Sequence, residues 1–169
     1  MRPQPGDYAP YYETYIELVQ GDDVLAALEN NYITTQQFLK SIPEEKGDYR
    51  YASGKWSVKQ VIMHMSDTER VFAYRALSIA RGDSTPLPGY DENSWAENHA
   101  SEKRTLTGVV EEFLSLRQST IPLVKSFDEK MFGRKGTANN NPASVAALVY
   151  IIAGHELHHL NVLRERYGL

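Results

Sequence analysis

The chain has 169 residues, of which 41% are hydrophobic and 24% charged, the proportions of an ordinary folded globule rather than a collagen-like, low-complexity or disordered chain. It has no cysteine and five histidines, which excludes disulfides, thiolate zinc sites, iron-sulfur clusters and cysteine nucleophiles and leaves imidazole to carry any soft-metal chemistry. With 18 basic against 22 acidic residues, a formal charge of -4 and no basic run, a nucleic-acid partner is not expected.

The opening stretch, MRPQPGDYAPYYETYIELV, has proline and acid where a secretion signal needs a basic patch and an uninterrupted apolar core. The most apolar run, Ala143 to Ala153, is much shorter than the roughly 20 residues that span a bilayer. A cytoplasmic protein with no membrane partner is therefore expected. Residues 1–21 read as an N-terminal extension and residues 22–169 as a single domain.

Four segments carry helical periodicity, separated by residues rich in Gly, Pro, Asn and Asp. The first is predicted from about Asp22 to Ile42, where Leu25, Leu28, Tyr32, Thr35, Leu39 and Ile42 recur at steps of three and four. The second opens at Ser57, because SVKQ offers a serine N-cap with glutamine three residues on, and it ends near Arg81 before Gly82. A long connection with two prolines follows, to about Glu102, with room for one short helical turn. The third helix is predicted over Thr105 to Phe127. The last starts with Asn141 as N-cap and Pro142 at its first position, and runs to Tyr167. Helices of this length predict an all-α, four-helix bundle, and the long connection between helices two and three suggests a crossover rather than simple up-down connectivity.

The chemistry concentrates in GHELHHL, Gly154 to Leu160. At about 100° per residue, Leu148, Ile152, His155, His159 and Val162 form one inward stripe, while His158 falls at its rim or in solvent. Two imidazoles four residues apart on one face can both reach one metal ion. His64, on the apolar arc of Val61, Met65, Thr68 and Phe72, is the candidate third ligand from the second helix. Three histidines leave coordination positions open, as in a catalytic rather than a structural site. His99, in the connection, is expected to be solvated. HELHH also satisfies the HExxH signature of zinc proteases, with Glu156 as general base, but LNVLRERYGL after it lacks the HxxGxxH continuation.

The sequence resembles the DinB-like superfamily of metal-binding four-helix bundles, which includes the metal-dependent hydrolases of the YfiT type. Three stretches carry the likeness: GKWSVKQVIMHMSDTE from Gly54 to Glu69, PLPGYDENSW from Pro86 to Trp95, and GHELHHL. The resemblance implies a divalent metal, zinc or nickel, on His64, His155 and His159, and a homodimer. It also implies a hydrolase or a thiol-dependent S-transferase acting on a small molecule, with a low-molecular-weight thiol as cosubstrate. A non-catalytic metal-binding protein of stress response is the alternative.

Around that metal, Glu69 on the inward side of the second helix is the candidate for orienting a ligand or accepting a proton, with Asp67 expected to point outward. Tyr90, Asp91 and Trp95 in the long connection are the candidates for the border of a substrate pocket.

Overall fold

Each long helix begins where a side-chain oxygen takes up a free backbone N–H. Asp23 accepts from Ala26 ahead of helix α2 (Val24–Ser41), and Thr105 accepts from Gly108 ahead of α5 (Leu106–Lys125). Ser57 and Gln60 form the reciprocal capping box that opens α3 (Val58–Ala80), as SVKQ predicts. The computed structural model describes residues 2–169; of the extension expected over residues 1–21, only residue 1 lies outside it. The remaining helices are α1 (Glu13–Ile16), α4 (Glu92–Glu97), α6 (Glu129–Phe132) and α7 (Val145–Glu165).

The start of α7 corrects the prediction. Its N-cap is Ser144, which accepts from Ala147, and residues expected in the first helical turn form strand β2 (Asn141–Ser144) against β1 (Lys135–Ala138). The reason is the turn between them. Asn139 and Asn140 both have positive φ, 49° and 59°, the backbone that a two-residue hairpin turn needs and that asparagine tolerates. The bundle therefore carries one small hairpin. The connection after α3 is pinned to it, since Leu87 donates to Thr137 and accepts from Asn139, both at 2.9 Å.

α2 and α3 both pack on α5 and α7, so α2 lies diagonal to α3, and α5 to α7, while α3 and α5 are neighbours. One apolar cluster joins the first half of α2, the second half of α3 and the first half of α7; the other joins the second half of α2, the first halves of α3 and α5, and the second half of α7. The helices thus run up, down, down, up, and the long connection is a crossover between two parallel neighbours. Between the clusters, at mid-height of α3, α5 and α7, lie Thr68, Glu69, Arg117, His155 and Glu156, all buried.

Residues 2–20 are folded onto this frame. Tyr8, Tyr15, Ile16 and Val19 are buried in the first cluster, and Arg2 ties the segment by donating to the carbonyls of Ile16 and Val19 at 2.8 and 2.9 Å. Among the described residues, no helix is long and apolar enough to cross a membrane.

Candidate metal centre

His64 projects from α3, and His155 and His159 from successive turns of α7. The structure brings the three together. Nε2 of His155 lies 3.0 Å from Nε2 of His64 and 3.0 Å from Nε2 of His159, and the three donor atoms all fall within 4.8 Å of one another. Trp56 packs against His64 at 4.8 Å between ring centroids, and Tyr15 against His155 at 5.4 Å. His158 stands at the rim, half-buried, against Tyr15 and His159.

This geometry has an internal conflict that a cation resolves. A ring nitrogen offers either one proton or one lone pair, so His155 Nε2 can make only one of its two 3.0 Å contacts as a hydrogen bond between neutral rings. Protonation is no remedy. Burial, reinforced by repulsion from neighbouring histidines, pushes His64 down to about 4 and holds His155 and His159 well below the ordinary imidazole value. At neutral pH the rings are neutral, the form that binds metals. Nδ1 of His159 is also buried without a partner. The residues fit a divalent metal ion at the meeting point of the three lone pairs.

A charged cluster adjoins the histidines. Arg117, on α5 and fully buried, donates from Nε to both carboxylate oxygens of Glu69, at 2.9 and 3.1 Å, and from Nη1 to Glu156. These carboxylates raise the Arg117 pKa despite its burial. Formally, two carboxylates against one guanidinium leave one negative charge in excess, and Oε1 of Glu156 has no partner. A divalent ion held by the adjoining histidines would balance that excess. Glu69, expected to serve a ligand or a proton, presents its carboxylate to Arg117. Arg117 itself was not foreseen, because an isolated arginine in a helical segment reads as solvent-facing.

A cavity of about 220 Å³ opens beside His155, lined chiefly by Tyr11, Tyr12, Tyr15, Thr68, Phe72, Arg75 and Tyr90, with Glu92 and Asn139. Of the three residues expected at a pocket, Tyr90 borders it, its hydroxyl 2.7 Å from Thr68 Oγ1. Asp91 is instead the N-cap of α4, accepting from Asn93 and Ser94. Trp95 stacks on Tyr90 at 4.8 Å and faces a separate groove with Val71, Tyr74 and Leu87. One further expectation is corrected. The His99 side chain is only 6% exposed and its Nε2 lies 2.9 Å from Asp67, so His99 is not solvated. The tyrosines of the N-terminal segment and Arg75 were missed; the cluster of tyrosines in DYAPYYETY was the available signal.

The sequence profile of the DinB superfamily matches residues 27–163. A protein of Oceanobacillus iheyensis, named as a candidate metal-dependent hydrolase, is 30% identical over 131 residues, covering 72% of this chain and 70% of its own. YfiT of Bacillus subtilis, named in the same way, is 23% identical over 170 residues, covering 96% of this chain and 93% of its own. The solved structure of YfiT, described as a four-helix bundle of unusual topology, matches with a TM-score of 0.70 at 19% identity, covering 99% of this chain and 94% of that one. The crystal structure of YjoA, a DinB-like protein of B. subtilis, matches at 0.60 with 16% identity, covering 84% and 87%. The matched region contains all three clustered histidines, and the chain belongs to the DinB superfamily.

Proposed function

We propose that the chain is a metal-dependent enzyme acting on a small molecule, as a hydrolase or a thiol-dependent S-transferase, with zinc or nickel held by His64, His155 and His159. The carrying observation is the convergence of three neutral imidazoles, two buried and that of His159 half-buried, on one point beside a polar cavity. The names of the relatives from O. iheyensis and B. subtilis support the metal dependence and, of the two reactions, the hydrolase.

A divalent ion bound there supplies Lewis acidity and lowers the pKa of water or of a thiol, so that a nucleophile exists near neutral pH. The chain's own residues prepare the site. The Arg117 network ties α3, α5 and α7 together next to the histidines, which fixes the relative position of the two ligand-bearing helices. Tyr15 packs over His155 and His158 and limits water on that side. With no cysteine in the chain, any thiol must arrive as a cosubstrate.

Elemental analysis of protein purified without an affinity tag, after incubation with zinc or nickel, is expected to give about one metal per chain, and less than about 0.2 would overturn the metal site. Hydrolysis and thiol-transfer panels should then show an activity lost on chelation. A bound metal with no turnover across both panels would support the non-catalytic alternative.

A further inference from the structure

Two buried arginines flank this site and are provided for in opposite ways. Arg117 has two carboxylates. Arg75, on α3 in the wall of the cavity that also reaches His155, is 3% exposed, and no carboxylate among the described residues lies within ion-pair distance of it. Its Nη2 donates to the carbonyl of Pro88. Its guanidinium lies over Phe72 at 5.1 Å and within 6.0 Å of the Tyr90 ring, with the Tyr12 hydroxyl beside it. Burial lowers its pKa, and the groups acting in the opposite direction are Tyr12 and Tyr90 rather than a carboxylate.

A guanidinium has five N–H donors, and burying its charge without an anion is unfavourable unless a ligand supplies one. The adjoining space, about 220 Å³, has room for such a ligand. Tyr12 and Tyr90 beside it are donors: burial raises Tyr12, and raises Tyr90 to about 12, so their hydroxyls stay protonated. Glu92 borders the same cavity. One guanidinium facing a cavity that also holds an acid suits a monoanion better than a dianion, and the aromatic walls suit an organic acid.

We infer that this cavity recognises a small organic carboxylate, held by Arg75 with the hydroxyls of Tyr12 and Tyr90, so that the remainder of the molecule extends toward His155. The assignment of a reacting end rests on the proposed metal site; the recognition of the carboxylate does not.

The probes are benzoate, its neutral analogue benzamide and inorganic phosphate, titrated calorimetrically into zinc-incubated protein. Benzoate should bind at least about tenfold more tightly than benzamide, the effect of one charge-assisted contact. Arg75→Met should remove that preference, and Arg75→Lys should retain part of it. The preference should persist in His159→Ala, which separates it from carboxylate binding to a metal: failure of the metal site alone would show in zinc content and leave the ratio intact. Equal binding of benzoate and benzamide, tighter binding of phosphate than of benzoate, or a preference lost in His159→Ala but kept in Arg75→Met would each overturn the inference. If Arg75→Met does not fold, the benzoate-to-benzamide ratio in the unmodified protein, with zinc and after chelation, decides the question by the same criteria.

Discussion

The backbone carbonyl oxygen of Tyr15 occupies the space in which a Cβ on Gly154 would stand. The glycine that opens GHELHHL therefore lets the N-terminal segment lie directly on the backbone of α7, one residue before His155. Because the obstructing atom is backbone rather than a flexible side chain, Gly154→Ala should displace α1 and destabilise the protein by about 1–3 kcal/mol, as overpacking does. Thermal unfolding measures the loss, and hydrogen exchange should show the segment around Tyr15 opening; an unchanged midpoint would contradict the packing.

Alanine in place of His64, His155 or His159 should each abolish stoichiometric metal binding, whereas His158→Ala should retain it. Zinc at about 100 times its dissociation constant should raise the stability of the unmodified protein by about 2.7 kcal/mol. If His158→Ala lost the metal while His159→Ala kept it, the helical phase of α7 assigned to the ligands would be wrong by one residue.

The histidine cluster also sets a pH dependence for the metal-free protein. Its folded-state pKa values are depressed from the ordinary 6.5, to about 4 for His64 and lower than ordinary for His155 and His159, chiefly by desolvation. Below 6.5 the unfolded chain binds more protons than the folded one, so stability falls as pH is lowered from 6.5 toward about 4; above 6.5 these groups contribute no slope. Urea unfolding across that range checks the sign. Replacing His64 by a non-titrating residue should flatten the slope.

Arg117→Met should be among the most damaging substitutions. It leaves Glu69 and Glu156, 3% and 1% exposed, without their shared guanidinium, and breaking a buried pair in this way costs about 3–5 kcal/mol. Chemical denaturation measures it. A loss below about 1 kcal/mol would mean that water or protonation replaces the arginine readily.

What the sequence made legible was short-range. The capping box at Ser57 and Gln60 and the phase of His155, His158 and His159 depend on residues within one or two turns, so caps and periodicity expose them. The hairpin was hidden because GRKGTANNN reads as a loop and Pro142 as a helix start; only paired positive-φ asparagines reveal the turn. The ion pair of Arg117 with Glu69 spans 48 residues, and no local pattern announces such a contact. Arg75 shows the same blindness, since a charged residue within a helical repeat is assigned to solvent until tertiary structure walls it in. The N-terminal tyrosines read as an extension because Tyr11 and Tyr12 sit in a 3-10 turn of 3 residues and Tyr15 in a helix of 4 residues, both too short to register as periodicity.

The contact of Tyr15 with His155 joins parts of the polypeptide that lie far apart in sequence. None of the three ligands lies in that N-terminal part: His155 and His159 share one helix, and His64 meets them through the packing of α3 on α7. Completing the cavity wall of Tyr11, Tyr12 and Tyr15 is therefore a separate event from assembling the ligands, and loosening that wall should speed the entry of zinc without removing a ligand.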